Sequence, residues 1–214
     1  MHLQRFTFNP LGENTYLLWD DNGDAVIIDS GAYFPEEYQV LSSFINNKGL
    51  RISCALQTHA HFDHLMGAQY VFDTYGVTPH IHPLEEDNYH AVDAQIRQFL
   101  HRDFHLPLPP QPCTFSDGDT VGSGTIRLKV LHTPGHTPGG VCFYVERARV
   151  LFSGDTLFRR SVGRTDFPGG SSMQLLQSIH EKILSLPDNV SILPGHGEST
   201  TVLEERIENP YLFT

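Results

Sequence analysis

This chain of 214 residues is poor in cysteine, in basic residues and in long apolar runs. Its three cysteines, Cys54, Cys113 and Cys142, are an odd count with no CxxC spacing. That argues against both a disulfide framework and a thiolate metal site, and it fits a reducing compartment. Lysine and arginine total 14 against 25 aspartates and glutamates, a formal net charge of −11. Phosphate backbones are gripped by cations, so nucleic acid is not expected as a partner. Met1-His2-Leu3-Gln4-Arg5-Phe6 lacks the apolar centre of a signal peptide, and no run approaches membrane-spanning length. No membrane partner is expected, and the default location is cytoplasmic. The 39% apolar and 18% charged content describes an ordinary globular protein. One residue type is in excess, with 13 histidines.

Three of those histidines fall in Thr58-His59-Ala60-His61-Phe62-Asp63-His64, directly after the apolar run Ile52-Ser53-Cys54-Ala55-Leu56. In extended backbone, residues two apart point to one side, so His59, His61 and Asp63 are expected to project together from a strand end. His64 then comes round as a helix begins. Imidazole and carboxylate suit zinc, iron or manganese, and a solvated polar loop has no need to concentrate them.

Strands are expected at Leu3–Phe8, Tyr16–Trp19 and Ala25–Ile28, then a helix from Pro35 to about Asn47 that closes at Gly49. Leu65–Tyr75 reads as a helix, Thr78–His82 as a short strand, and Leu84–Phe104 as a helical insert broken by the prolines at 107–112. Cys113–Leu131 is a second β region, Val141–Val145 and Val150–Phe152 a hairpin around Arg147, and Met173–Leu186 a helix. Val190–Leu193 and Val202–Glu208 close the series as a strand and a last helix. Two batches of strands, each followed by helices, indicate two packed sheets with helices outside them, an α/β sandwich. No repeat or linker divides residues 1–214, so one domain is expected.

Three more chemical residues sit where strands should end, each beside glycine. They are His136 in His132-Thr133-Pro134-Gly135-His136, Asp155 in Ser153-Gly154-Asp155, and His196 in Pro194-Gly195-His196-Gly197. One such position alone would read as structural. Four strand ends with the same ligand chemistry do not.

The ordered series Thr-His-x-His-x-Asp-His, Pro-Gly-His-Thr-Pro-Gly, Ser-Gly-Asp and Pro-Gly-His-Gly resembles the metallo-β-lactamase superfamily over most of the chain. The resemblance implies a four-layer αββα sandwich with two divalent metal ions, zinc or alternatively iron or manganese, at one edge of its two sheets. It puts His59, His61 and His136 on the first metal, Asp63, His64 and His196 on the second, and Asp155 between them. Val162-Gly163-Arg164-Thr165-Asp166-Phe167-Pro168-Gly169-Gly170 and Arg206-Ile207-Glu208-Asn209-Pro210 resemble the single-domain type II glyoxalases of bacteria, the hydroxyacylglutathione hydrolases. Only a short stretch follows His196, so the C-terminal helical domain with which full-length glyoxalases hold glutathione is not expected.

The implied activity is hydrolysis of a small-molecule thioester such as S-D-lactoylglutathione by a metal-bridging hydroxide. Asp63 would orient the nucleophile or take its proton. A thiol leaves as thiolate without a proton donor, which favours thioesters over lactams. Arg164 is the candidate for the substrate's glutathione carboxylate, against a structural ion pair with Asp166. Asp29 is expected behind the metal-binding histidines or capping the Ser30-Gly31 turn. His90, His101 and His105 are expected on the surface and His132 in a structural hydrogen bond. Tyr89, Phe99 and Phe104 are expected in packing rather than in an acyl pocket. Rival readings are a glutathione persulfide dioxygenase with one iron on His59, His136 and Asp155, a lactonase or phosphodiesterase on the same dinuclear core, and a non-catalytic metal scaffold.

Overall fold

Tyr16, Leu18, Val26 and Ile28 alternate along the chain with Leu17, Ala25 and Ile27, and all seven side chains are buried. Strands apolar on both faces need cover on both faces. In a computed structural model, which describes residues 1–213, that cover is a second sheet on one side and helices on the other.

The first sheet runs in sequence order: β1 (His2–Phe8), β2 (Glu13–Trp19), β3 (Asp24–Ile28), β4 (Arg51–Leu56), β5 (Pro79–Ile81) and β6 (Cys113–Thr114). Its first three strands are antiparallel and the next three add in parallel. The parallel steps need crossovers, which α1 (Pro35–Lys48) supplies for the first, α2 (Phe62–Leu65) and α3 (Ala68–Tyr75) for the second, and the helical insert for the third. After the insert come β7 (Thr120–Val121), β8 (Leu128–His132), β9 (Val141–Val145) and β10 (Val150–Gly154), then the hairpin β11 (Leu157–Phe158) and β12 (Ser161–Val162). The chain closes with α6 (Ser172–Ser178), a π-helical turn Ile179–Ile183, β13 (Ser191–Pro194), β14 (Thr200–Thr201) and α7 (Val202–Glu208). The second sheet has the order β14-β13-β10-β9-β8-β7, parallel only between β10 and β13.

Between the sheets, Leu18, Val26, Ile28 and Leu56 pack against Leu128, Val130, Phe143 and Phe152. Outside the first sheet, Leu17, Ile27 and Ala55 meet Leu41, Ile45 and Val71. Outside the second, Leu131, Cys142, Leu151 and Ile192 meet Leu175, Ile179, Ile183 and Val202. The result is the αββα sandwich. Among the described residues no helix is long and apolar enough to cross a membrane.

Several elements differ from the sequence reading. The helix expected over 65–75 is interrupted at Gly67, whose N–H donates to the Ser30 carbonyl at 2.6 Å. A Cβ there would lie 2.8 Å from the Ala32 oxygen, so the chain breaks to let the backbones meet. The helix expected over 84–104 is a 3-10 turn (Pro83–Glu85), α4 (Glu86–His90) and α5 (Val92–Leu100). It stops at His101, which turns left-handed at φ 50°. Asp93 on α5 accepts from the Leu106 N–H at 2.9 Å, folding the chain back over the helix before the prolines are reached. The region 113–131 serves both sheets: Cys113 pairs with His80 in the first and Val121 with Leu128 in the second.

Candidate metal centre

β4 stops at Leu56, so strand alternation does not aim His59, His61 and Asp63. His59 and His61 lie in the loop that follows, His61 caps the start of α2, and Asp63 and His64 are helical. Crossed hydrogen bonds from remote elements hold that loop. Asp29 accepts from the Thr58 N–H at 2.7 Å and from its hydroxyl at 2.8 Å. Glu85, buried, accepts from the Ala60 N–H at 2.8 Å and the Gly139 N–H at 2.7 Å. Gln95 accepts from Phe62 N–H at 2.9 Å and donates to the Ala60 carbonyl at 3.1 Å. The helical insert thus clamps the loop from behind.

His136 follows β8, Asp155 follows β10 and His196 follows β13. All seven residues singled out in the sequence meet at this edge of the two sheets. Nε2 of His59 lies 3.1 Å from Nδ1 of His61, which lies 2.9 Å from Nε2 of His136. Those spacings approach the ~3.3 Å edge of a tetrahedron whose metal–nitrogen bonds are about 2.0 Å. Asp63, His64 and His196 make a second cluster, with Asp63 Oδ2 3.1 Å from His196 Nε2 and 3.8 Å from His64 Nε2. Asp155 stands between: Oδ2 is 3.7 Å from both His136 Nε2 and His196 Nε2, and Oδ1 is 3.5 Å from His64 Nε2. Gly195 makes this closeness possible, since a Cβ there would fall 2.4 Å from Asp155 Oδ1.

Three of the five outward nitrogens are hydrogen-bonded, and a fourth faces a carboxylate. His136 Nδ1 donates to the Arg164 carbonyl at 2.7 Å, His196 Nδ1 faces the Leu11 carbonyl at 3.2 Å, and His59 Nδ1 faces the Thr58 hydroxyl at 3.1 Å. Nδ1 of His64 lies 3.0 Å from Asp29 Oδ2. Each contact turns an Nε2 lone pair inward, the arrangement by which outer partners orient metal-binding histidines. His64 Nε2 and Asp155 Oδ1 are buried without a hydrogen-bond partner among the described residues. Five imidazoles, two carboxylates and two orphaned inward atoms are a donor set that fits two divalent cations.

Electrostatics divides the cluster. Burial holds His61 down to about 3, with His136 adding to the shift, and burial with His64 and His61 keeps His59 well below the usual imidazole range. Burial would also depress His64, but Asp63, Asp155 and Asp29 outweigh it and its pKa is raised well above normal. His196 is likewise raised against its burial, by Asp63 and Asp155. Against burial, His64, His196 and His136 hold the Asp155 carboxyl far below the carboxylate range, and His64 and His196 lower Asp63. In the first cluster, His59 and His61 are therefore neutral imidazoles. In the second, His64 and His196 hold protons that a cation would displace.

Arg164 lies at the rim. Its Nε and Nη2 donate to Asp166 at 2.8 and 2.6 Å, and its guanidinium lies 3.9 Å from the Phe167 ring centre. Phe167 in turn packs 4.2 Å from Phe99 and 5.5 Å from His61, centre to centre, so Phe99 borders the site as well as packing. Tyr89 is buried with its hydroxyl on the Pro109 carbonyl, and Phe104 stacks at an angle on Tyr33, away from the cluster. His132 donates to the Pro138 carbonyl at 2.9 Å and stacks on His82; His90, His101 and His105 are exposed. Glu85, Gln95 and Asn14, whose side chain holds the Pro194 and Gly197 carbonyls at 3.0 Å, are absent from the sequence reading. Glu13 is also new: fully buried, its carboxyl is pushed well above the carboxylate range by burial, against the pull of His64.

The sequence profile of the metallo-beta-lactamase superfamily matches residues 8–196. The chain belongs to that superfamily. An uncharacterized Mycobacterium leprae protein, ML0493, is 42% identical, with 93% of each chain covered. The probable metallo-hydrolase YqgX of Bacillus subtilis is 35% identical, and the hydroxyacylglutathione hydrolase GloC of Haemophilus influenzae 33%, each over 99% of this chain and 98% of its own. These relatives support a place in the type II glyoxalase-like branch. Among solved structures, BLEG-1, described as a B3 metallo-beta-lactamase, superposes with a TM-score of 0.89 at 34% identity over 100% of both chains. TTHA1623 in a di-iron-bound form gives 0.86 at 36%, over 98% of this chain and 100% of that one. ETHE1 from Myxococcus xanthus gives 0.79 at 25%, over 98% and 84%.

Proposed function

We propose that residues 1–214 form one metallo-β-lactamase-fold unit that hydrolyses a small-molecule thioester, with S-D-lactoylglutathione as the representative substrate. The observation that carries this reading is Asp155, whose carboxylate faces His136 on one side and His64 and His196 on the other. His59, His61 and His136 would hold one divalent ion, Asp63, His64 and His196 the other, and Asp155 both; zinc suits the set, and iron or manganese are alternatives. Such ions supply Lewis acidity, polarising a carbonyl and bringing the pKa of water to about 7. The chain's own contributions follow from geometry. Asp63, ionised and a little exposed at the cluster's edge, can orient a water and accept its proton. Phe99 and Phe167 form an apolar wall beside His61 that excludes bulk water from the acyl carbon. Arg164 keeps the N–H donors that Asp166 does not use for an anionic group of the substrate. A thiolate leaves without a donor acid.

GloC, a hydroxyacylglutathione hydrolase by name, supports the substrate class. A dioxygenase with one iron on His59, His136 and Asp155 is the second reading, and Asp63, His64 and His196 gathered in a second cluster favour the hydrolase. The test is metal content per chain together with thiol release from S-D-lactoylglutathione, oxygen uptake with glutathione persulfide, and opening of a chromogenic cephalosporin. Thiol release with two metals is expected. One iron per chain, oxygen uptake and no thiol release would overturn it.

A further inference from the structure

A cavity of about 760 Å³ lies at the other end of the second sheet, three times the volume of the depression beside Lys182. Arg127, Lys129 and Arg147 line it, with Thr120, Thr125 and Tyr144. β8 and β10 run from this cavity towards the metal cluster: Arg127 precedes the start of β8 and His136 follows its end, while Arg147 precedes β10 and Asp155 follows it. Five-residue strands span about 17 Å, so the two places are separate. Lys129 pairs across the ladder with Tyr144. Tyr144 is the last β9 side chain packed in the outer apolar cluster, and Lys129 beside it is exposed. The cavity therefore opens where the helical layer stops covering the sheet.

Its charge runs against that of the chain. Carboxylates outnumber cations by 25 to 14, so a lysine or arginine here has no shortage of partners. Seven of them are in ion pairs. Among the described residues Arg127, Lys129, Arg147 and the adjacent Arg149 are in none, although all four fall within one β8–β10 segment. Arg127 is fixed in place, its Nη1 donating to the Gly124 and Ile126 carbonyls at 2.8 Å, which leaves the rest of the guanidinium fork available. Among the described residues Glu146 is the one carboxylate on the wall. Asp20 lies behind Thr125, occupied by the Thr125 N–H at 2.9 Å and its hydroxyl at 3.1 Å. Three cations around a hollow of small-molecule size, facing one carboxylate, make a receptor for negative charge.

We propose that this cavity binds a small organic molecule bearing two phosphate groups, held by Arg127, Lys129 and Arg147 and independent of the metal cluster. A dianion at each end matches cations placed on separate strands and turns better than one point charge does. The size of the hollow and the net charge of −11 favour a small molecule over a nucleic acid, whose long phosphate track would meet repulsion beyond the cavity.

The test uses the metal-loaded full chain, with fructose 1,6-bisphosphate and inorganic phosphate as probes in calorimetric titration. The bisphosphate should bind saturably at micromolar to millimolar concentration, more tightly than phosphate, and more weakly as salt is raised. Lys129→Gln and Arg147→Gln are surface substitutions that leave the fold intact, and each should weaken binding by about tenfold or more. His196→Ala should leave it unchanged. No saturable binding, equal affinity in the Lys129→Gln/Arg147→Gln double variant, or loss of binding in His196→Ala would each overturn the proposal. So would a duplex oligonucleotide that binds through Lys129 and Arg147 while the bisphosphate does not.

Discussion

The main-chain carbonyl of Arg164 accepts a hydrogen bond from Nδ1 of His136 at 2.7 Å, so the residue at the rim of the site also sets the ring beneath it. It does so through its backbone, and its side chain is free to do something else. The two roles separate on substitution. Arg164→Ala should leave metal content unchanged and raise KM for a glutathione thioester more than for a simple alkyl thioester. Equal effects on both substrates would remove Arg164 from recognition. Because the guanidinium and Asp166 are largely exposed, loss of the pair should leave stability nearly unchanged.

His64 is the centre of the second cluster, with Asp29 behind it at 3.0 Å. His64→Ala should lower bound metal towards one ion per chain and reduce turnover by more than about 100-fold. Asp29→Asn, which keeps the shape but removes the charge facing Nδ1, should cost about 10–100-fold in metal affinity or activity. Metal analysis after dialysis, paired with thiol release, checks both. Two ions per chain and unimpaired turnover in His64→Ala would refute the two-metal assignment.

Glu85 touches no proposed ligand, yet its two oxygens tie the Ala60 and Gly139 N–H groups together. Glu85→Ala leaves both buried donors unpaired, at about 1–3 kcal/mol each. Urea denaturation of the metal-free protein should show a loss of about 2–6 kcal/mol. Glu85→Gln keeps an acceptor for one of the two and should lose less.

The metal-free protein should be most stable between two limits. His64 and His196 have pKa values raised in the fold, so their contribution is present below the ordinary imidazole value and fades as pH rises through the raised one. His59 and His61 are depressed, His61 to about 3, and Asp63 and Asp155 are depressed as well. Those four contribute above their unfolded values and lose that contribution as pH falls through the lowered ones. Thermal unfolding after chelation should therefore give a Tm that falls towards both acid and alkali. Added metal should restore the alkaline side, with protons released on uptake.

Cys54 and Cys142 are buried, and burial pushes both thiols up to about 11, while Cys113 is exposed. A thiol-specific reagent near pH 8 should modify one cysteine per native chain and all three in urea.

That seven metal-ligating side chains would gather at one edge was legible because each follows an apolar run, with glycine beside His136, Asp155 and His196. The outer layer over the first sheet follows from the spacing of Leu41 and Ile45 in α1, whereas the layer over the second is shared between Leu175 in α6 and Ile179 in the π-helical turn. What local pattern does not carry is partnership across distance. Glu85 meets Ala60 across 25 residues and Asn14 meets Pro194 across 180, and neither spacing leaves a trace in its own neighbourhood. The insert shows the same limit: its helical composition runs past His101, but Asp93 draws Leu106 back.

Nearly all of the first sheet comes from the front of the chain and the second from the back, and His61 and His136, whose inward nitrogens are 2.9 Å apart, are separated by 75 residues. An ion gripped by both would act as a cross-link in a protein that has only free cysteines. By the loop-entropy relation for disulfides, a closure of that span restrains the unfolded chain by about 4.5 kcal/mol. Parting the halves would then require release of the ion, so the lifetime of the native state would follow the occupancy of the site.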